Sequence, residues 1–137
     1  MHLGGRIRSF KPEVRDLLER RVNEIAKSIA TVFNCVAEVH YRRGYPPTVN
    51  WTEQAEISLL AAKEAVGEEN VVPNMQPLSS SEDFSFMLEK VPGCYVFIGN
   101  EMTGSDECVH APRYYFNDEI TARGEAYWTA IVRAELP

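Results

Sequence analysis

The chain has 137 residues, of which 45% are hydrophobic and 25% charged, and its formal net charge is −6. These values are ordinary for a globular chain and exclude collagen, low-complexity disorder and a small disulfide-rich protein. The acidic balance, without a cluster of Lys or Arg, predicts no nucleic-acid partner, and the longest apolar runs are too short to cross a membrane.

The first predicted element is a strand over residues 3–10, where apolar and polar side chains alternate with the period of a half-buried strand. Pro12 suits the first position of a helix, and apolar residues then recur at three- and four-residue steps as far as Phe33. Asn34 interrupts this pattern, and alternation resumes over residues 35–42. The chain is therefore predicted to begin with a strand–helix–strand unit whose long helix is amphipathic.

One face of this predicted sheet packs on the helix, and the other face carries charged side chains. They are Arg6, Arg8, Glu38, His40 and Arg42. Such a face is typical of a solvated surface, and the alternative is a face that turns towards a cleft. Because a guanidinium group offers two parallel donors to a carboxylate, Arg6 and Arg8 are candidate ligand contacts.

Pro46 and Pro47 mark a boundary, because consecutive prolines cannot continue a central strand. A helix is predicted from Thr52 to about Val66, with Gly67 at its end.

The remaining elements alternate between strand and helix. A short strand is predicted at residues 71–72, and a short helix includes residues 84–88. Residues 94–98 form an apolar run that is typical of a strand buried on both faces of a parallel sheet. A long loop and a final helix follow. This alternation predicts the α/β fold class.

His110 is the main candidate for chemistry, because it lies in the long loop between residues 94–98 and a final helix capped by Asn117. Open α/β sheets place functional groups at the carboxyl ends of their strands, and imidazole is a common metal ligand. The alternative is an ordinary surface or packing histidine. Three nearby carboxylates could accept a hydrogen bond from the other ring nitrogen. They are Asp106, Glu107 and Asp118.

The second candidate is the start of the short helix, formed by Ser81, Glu82, Asp83 and Phe84. One interpretation is a simple cap, since Ser80 and Asp83 are spaced almost as in a capping box. The other is a helix terminus whose free N–H groups bind a substrate carboxylate or an oxyanion. The two interpretations are compatible, because a capped helix end can also line a pocket.

The three cysteines, Cys35, Cys94 and Cys108, are widely spaced and form neither a disulfide framework nor a CxxC motif. The amino-terminal residues lack the apolar region of a signal peptide. Together these features predict reduced thiols and a cytoplasmic location.

Several motifs resemble the carboxyl-terminal part of the metal-dependent amidohydrolases within the aminoacylase/carboxypeptidase family, a group that includes hippurate hydrolase, indole-acetyl-amino-acid hydrolase and N-acyl-amino-acid deacylases. They occur in the family's order over essentially the whole chain. The motifs are Gly5-Arg6-Ile7-Arg8-Ser9-Phe10, Tyr45-Pro46-Pro47-Thr48-Val49-Asn50, Ser81-Glu82-Asp83-Phe84-Ser85, Tyr95-Val96-Phe97-Ile98-Gly99, His110-Ala111-Pro112-Arg113-Tyr114 and Phe116-Asn117-Asp118.

The resemblance implies a domain organisation. Family members have a catalytic α/β domain interrupted by a smaller lid domain that also dimerises. Residues 1–45 are then expected to be the carboxyl-terminal half of the lid, and residues 46–137 the carboxyl-terminal part of the catalytic domain. A homodimer through the lid follows as an expectation.

The resemblance also implies roles for individual residues. His110 matches the family's last metal-ligand histidine, and Arg8 matches a lid-strand arginine that is expected to contact the substrate carboxylate. Residues Ser81, Glu82, Asp83 and Phe84 match a loop that lines the substrate pocket. Family members usually have glycine where Ser80 stands.

The implied activity is hydrolysis of the amide bond of N-acyl amino acids by a protein that holds two divalent ions, zinc or manganese. The other metal ligands and the catalytic carboxylate would lie in an amino-terminal portion that this sequence lacks, so no catalytic residue is assigned in this chain. The chain is expected to be a fragment that is inactive alone. The alternative is a non-catalytic dimerisation or binding module, in which the free edge of the predicted sheet pairs with a second copy.

Overall fold

The computed structural model describes residues 1–100 and 109–136 of the chain. These residues form four α-helices and one 3-10 turn, Glu68–Asn70. The helices are α1 Pro12–Val32, α2 Thr52–Val66, α3 Phe84–Leu88 and α4 Ile120–Glu135. All four helices were expected from the sequence, and their observed bounds lie close to the predicted ones.

Helix α1 begins and ends as its sequence indicates. Pro12 occupies the first helical position, where its missing N–H costs no hydrogen bond. At the other end Asn34 has φ 54°, a left-handed conformation that Asn tolerates. The Cys35 N–H donates to Ala30 O at 2.8 Å, and the Asn34 N–H donates to Thr31 O at 3.0 Å. These two bonds form a Schellman motif, which explains why the helix stops here.

Helices α2 and α4 pack against each other around small side chains. Ala61 on α2 and Ala130 on α4 are each 4% exposed and form a core cluster with Tyr127. The Tyr127 hydroxyl shares a hydrogen bond of 2.7 Å with Ser58 Oγ, so both buried hydroxyls have a partner. The small alanine side chains at the contact allow the two helices to approach closely. The hydrogen bond between Ser58 and Tyr127 links the two helices directly.

The α/β fold class predicted from the sequence is wrong for the described residues, which are helical and include no strand. The expected strands at residues 3–10, 35–42, 71–72 and 94–98 are not part of any ladder. Leu3 is 86% exposed and Phe97 is 59% exposed, so neither segment is buried as expected. The reason is that a strand needs a partner from elsewhere in the chain, whereas a helix closes its hydrogen bonds within its own segment.

The chain divides into two compact units. The predicted strand–helix–strand unit is wrong in its strands, and its helix is observed as α1. The first unit comprises residues 1–49 and 77–90, and the second comprises residues 50–76 and 91–137. The expected boundary between residues 45 and 46 stays a prediction.

In the first unit, Arg43, which lies in the segment after α1, binds two carboxylates of that helix. The Arg43 guanidinium lies 2.7 Å from Asp16 Oδ1, and its Nε donates to Glu19 Oε2 at 2.7 Å. These hydrogen bonds raise the pKa of Arg43 above its ordinary value. Yet α1 contributes no buried residue, and its apolar face remains accessible.

No helix in the described ranges is long and apolar enough to cross a bilayer.

Candidate functional site

His110 lies on the surface of the second unit, in a turn that precedes α4. Its side chain is exposed, and its φ of 73° is a left-handed conformation that is uncommon outside glycine. Tyr114 N–H donates to Ala111 O at 3.0 Å and closes the next turn of the chain. The imidazole is therefore presented to solvent by an ordered backbone, an arrangement open to a ligand.

The side chain of Asn100 holds the segment that follows His110. Its Nδ2 donates to Tyr115 O at 2.7 Å, and its Oδ1 accepts from the Asn117 N–H at 3.0 Å. Asn117 Oδ1 in turn accepts from the Glu119 N–H at 3.0 Å just before α4. The cap predicted at Asn117 is wrong, because α4 begins at Ile120, Glu119 occupies the cap position and no side-chain cap is formed; Asn117 instead binds within the turn that precedes the helix.

The residues around His110 do not complete a metal centre. In residues 1–100 and 109–136, no three side chains of His, Cys, Asp or Glu lie close enough together to hold an ion. Asp106 and Glu107, two of the expected acceptors for the imidazole, lie outside the described residues. The third, Asp118, is exposed and has no described bond to His110. The described side chains alone do not fit a two-metal site.

The Ser81–Phe84 segment leads into α3, which begins at Phe84. Asp83 occupies the position before the helix, but no side-chain cap is formed, so the cap expected from Ser80 is wrong. Instead, Ser85 Oγ donates to the Glu82 carbonyl at 2.6 Å, and Ser85 is only 1% exposed. Ser81 and Asp83 are exposed, while Glu82 and Phe84 are half-buried.

Arg8 is exposed and belongs to the same unit as Ser81–Phe84, whereas His110 belongs to the other unit. The structure therefore brings two of the three predicted groups into one compact unit. Their roles in binding a substrate stay predictions.

Sequence reasoning missed a cavity of about 190 Å³ in the first unit. Lys11 and Arg15 line it from the start of α1, and Ser85 and Glu89 line it from α3 and the residue after it. A sequence signal was present, because two cations four residues apart lie on one side of a helix start. The partner surface comes from a distant part of the chain, so spacing alone could not reveal the cavity.

The chain resembles known hydrolases along nearly its whole length. The profile of peptidase family M20/M25/M40 matches residues 5–134. Hippurate hydrolase of Campylobacter jejuni subsp. jejuni is 33% identical over 125 residues, which cover 91% of this chain and 32% of the relative. IAA-amino acid hydrolase ILR1-like 4 of Arabidopsis thaliana is 31% identical over 128 residues, covering 89% of this chain and 29% of the relative.

A third relative, putative amidohydrolase YhaA of Bacillus subtilis, is 29% identical over 117 residues, covering 84% of this chain and 29% of the relative. The chain thus spans about a third of the length of these curated relatives. No solved structure matches it significantly. The family profile covers almost every residue in order, and the resemblance inferred from the motifs is confirmed: the chain belongs to peptidase family M20/M25/M40.

Proposed function

We propose that this chain is the carboxyl-terminal part of a metal-dependent amidohydrolase that cleaves the amide bond of N-acyl amino acids. The observation that carries the proposal is the family match over residues 5–134. It is supported by relatives named as a hippurate hydrolase and an IAA-amino acid hydrolase, since both names describe an acyl group joined to an amino acid.

In this proposal, His110 binds one of two divalent ions, zinc or manganese. Its exposure suits such a role, as do the two bonds that hold the following segment, in which Asn100 donates to Tyr115 O and accepts from the Asn117 N–H. A bound divalent ion would supply Lewis acidity and would make a water molecule more nucleophilic. This chain contributes one imidazole to that site, and the other ligands and the general base come from elsewhere in the active protein.

The substrate contacts proposed for this chain are Arg8 and the segment Ser81–Phe84. Arg8 is an exposed guanidinium, which can grip a substrate carboxylate through two parallel hydrogen bonds. Glu82 and Phe84 are half-buried beside α3 and can form a wall of the substrate pocket. At position 80 this chain has serine where family members usually have glycine. The hydroxymethyl group of Ser80 occupies space beside the backbone, so a ligand cannot come as close to it as it could to glycine.

The chain alone is expected to be inert, because the described residues assemble no metal centre and general acid–base catalysis needs a positioned group. Incubation of the purified chain with hippurate and zinc or manganese tests this directly. Release of glycine above the buffer control would show that the chain is sufficient and would contradict the proposal.

The role of His110 is tested in a chimera in which this chain replaces the matching third of the Campylobacter hippurate hydrolase. His110→Ala should lower both the bound metal and the rate of hippurate hydrolysis. The matched control is His40→Ala, because His40 is also exposed and its imidazole lies 3.1 Å from Glu38. If the His110→Ala chimera keeps its metal content and its rate, His110 is not a ligand.

A second candidate function is assembly into a homodimer, and the accessible apolar face of α1 favours it. No residue of this 21-residue helix is buried, and Ile29 is 54% exposed. Pairing through the edge of a sheet is not supported, because the described residues contain no strand. The contact would instead form between α1 helices of two copies.

A cytoplasmic location belongs to the same proposal. It is supported by the free thiols of Cys35 and Cys94, which fit a reducing compartment. Fractionation of cells that express the protein, with a cytoplasmic marker enzyme as the control, tests it.

A further inference from the structure

Residues 93–98 form an uncharged segment of the second unit that is hydrogen-bonded along one side. Trp51 N–H donates to Gly93 O at 3.0 Å. Asn50 Nδ2 donates to Tyr95 O at 2.9 Å, and Asn50 Oδ1 accepts from the Tyr95 N–H at 2.8 Å. The backbone groups of Gly93 and Tyr95 therefore turn towards the segment that holds Asn50 and Trp51.

The other side of this segment presents a second row of backbone groups. Both groups of Tyr95 bind one side-chain amide, so they point to the same side, as they do in an extended chain. The Tyr95 and Phe97 rings contact each other at a centroid distance of 5.2 Å, as side chains on one face of an extended chain do. The groups of adjacent residues point to opposite sides of such a chain, so those of Cys94, Val96 and Ile98 point away from the bonded side.

The N–H and C=O groups of Cys94, Val96 and Ile98, here named the free edge, are unpaired within the described ranges. Val96 and Ile98 are 40% and 49% exposed. Aromatic and β-branched residues favour strands. Residues 94–98 contain neither a charge nor a proline, which are the features that keep exposed edges from pairing. Such an edge is a template for a further strand.

The same segment of a second copy complements the free edge. An antiparallel pair centred on Val96 places Val96 opposite Val96 and Cys94 opposite Ile98, so the free groups of both copies can exchange N–H···O bonds. Tyr95 of one copy then lies opposite Phe97 of the other, and cross-strand aromatic pairs stabilise a strand pair. The bonded side of each segment is not needed for this contact.

The other segments with an alternating sequence fit the free edge less well. Residues 3–10 carry two arginines, and residues 35–42 carry Glu38, His40 and Arg42. A charged side chain placed against this uncharged segment would lose hydration without gaining an opposite charge. The composition of the segment therefore favours pairing with its own copy.

We propose that two copies of this chain associate by antiparallel pairing of residues 94–98 along the free edge. The strand pair forms only when two copies meet, so it differs from pairing through a preformed sheet. It uses none of the residues to which a role in hydrolysis is assigned, and it lies in the unit that does not contain α1. The inference therefore goes beyond the proposed function.

The strength of this association follows from the length of the segment. An isolated pair of short strands is only marginally stable in water, so the expected Kd is about 1 mM. The pairing therefore appears far above the micromolar concentrations of a sedimentation experiment, and it is distinguishable from contact through α1.

The experiment is a nuclear magnetic resonance dilution series of the 15N-labelled chain from about 1 mM to about 10 μM. The Val96 and Ile98 amide signals should shift with concentration. Their hydrogen exchange should be about twofold slower at the highest concentration, where about half of the copies are paired. The Phe97 amide points to the bonded side, so its exchange rate should not change.

A sample that mixes labelled and unlabelled chains identifies the register. Opposed residues that exchange no hydrogen bonds have the closer backbones. An intermolecular nuclear Overhauser effect is therefore expected between Hα of Tyr95 and Hα of Phe97 of the second copy. The Tyr95 amide, which is bound to Asn50 within each copy, is the internal reference for an intact structure.

Proline at position 96 tests the free edge, because Val96→Pro removes an N–H that is unpaired in the single copy. The fold should persist, and the pairing should weaken at least about tenfold. Val96→Thr keeps the N–H and the β-branched shape, so it should pair like the unsubstituted chain. Val36→Pro, at a 98% exposed position of the first unit, should also pair normally. Ile25→Glu with Ile29→Glu should leave the pairing unchanged, because both positions lie on α1.

Three results would overturn the proposal. One is a set of Val96 and Ile98 signals that does not change with concentration up to about 1 mM, which would show that the free edge binds only water. The second is an intermolecular contact of residues 94–98 with residues 3–10 or 35–42, or equal slowing of exchange at Phe97. The third is unchanged association in folded Val96→Pro, or loss of association in Ile25→Glu with Ile29→Glu. If Val96→Pro fails to fold, the intermolecular contacts of the unsubstituted chain decide the matter.

Discussion

At the scale of residues, two asparagines in the second unit replace backbone partners. Asn50 Nδ2 donates to Tyr95 O at 2.9 Å, and its Oδ1 accepts from the Tyr95 N–H at 2.8 Å. Asn100 likewise donates to one backbone carbonyl and accepts from one backbone N–H, those of Tyr115 and Asn117 in the segment that follows His110. Because a side-chain amide offers one acceptor and two donors, it can pair with a peptide group as a strand would.

These hydrogen bonds show which properties of single residues can be predicted from a sequence and which cannot. The sequence placed Asn117 just before a helix, but the helix begins at Ile120 and Glu119 takes the cap position, so the exact role of Asn117 was not predicted. The partner of Asn100 was not visible, because hydrophobic periodicity describes which face of a segment is buried and says nothing about distant polar contacts. Within the described ranges the buried Arg15 Nε has no hydrogen-bond partner, and hydrophobic periodicity could not predict this either.

Removing the Asn100 amide should loosen the segment that carries His110. In Asn100→Ala, the Asn117 N–H loses its acceptor, so its hydrogen exchange should become faster, and the chain should lose about 0.5–1.5 kcal/mol of stability per hydrogen bond. Hydrogen exchange and urea denaturation measure the two effects. Asn74→Ala, at an exposed position, is the control. Unchanged exchange at Asn117 would show that the bond does not order this segment.

The exposed pair of Lys63 and Glu68 gives a pH-dependent prediction. The hydrogen bond and charge of Lys63 lower the pKa of Glu68 below its ordinary value of 4.5. The pair therefore supports the folded state above that ordinary value, and its contribution is lost as the pH falls through the lowered pKa. Lys63→Met should raise the pKa of Glu68, as followed by the carboxyl 13C shift. Lys90→Met is the control, and no movement in Lys63→Met would contradict the pairing.

At the scale of elements, helices were predicted well and strands were not. Proline at the start of α1, the break in the pattern at Asn34 and the glycine after α2 are local signals, and the structure begins or ends a helix at each of them. The alternating segments at residues 3–10 and 35–42 carried an equally clear period. Their pairing depends on other segments, however, and periodicity does not say whether a partner is present.

Gly67 gives a prediction at this scale. Its φ of 85° suits glycine, and a Cβ added there would lie 2.6 Å from Glu69 Oε1. Gly67→Ala should therefore destabilise the chain by about 1–3 kcal/mol, because the side chain strains this conformation. Gly44→Ala is the matched control, since nothing lies within 4 Å of its added Cβ. Equal urea midpoints for the two variants would show that the end of α2 tolerates a side chain.

At the scale of the molecule, the two units bury their apolar residues unequally. The second unit has a core between α2 and α4, whereas α1 in the first unit buries none of its residues. A soluble chain rarely leaves such a face uncovered. The chain spans about a third of the length of its relatives. In the proposed dimer, α1 of a second copy covers the apolar face of α1.

If the chain dimerises through α1, charged residues on the apolar face of this helix should convert the dimer into a monomer. Ile25 and Ile29 are 46% and 54% exposed, so Ile25→Glu with Ile29→Glu should change the stability of each copy by no more than about 0.5 kcal/mol per site. Sedimentation equilibrium should show a dimer for the unsubstituted chain and a monomer for the double variant. Lys27→Glu, on the polar side, should remain dimeric. A monomeric unsubstituted chain at all concentrations would exclude the dimer.

The exposed apolar surface of α1 also predicts which part of the molecule unfolds first. An isolated helix of this length is only marginally stable in water, because its nucleus is costly and tertiary packing supplies most of a helix's stability. Here the helix has only half-buried side chains and the exposed ion pairs of Arg43 with Asp16 and Glu19 to support it, and exposed ion pairs stabilise a fold little. Thermal fluctuation should therefore unravel α1 well before the α2–α4 pair, so a protease at low concentration should cut within α1 first and leave the second unit whole.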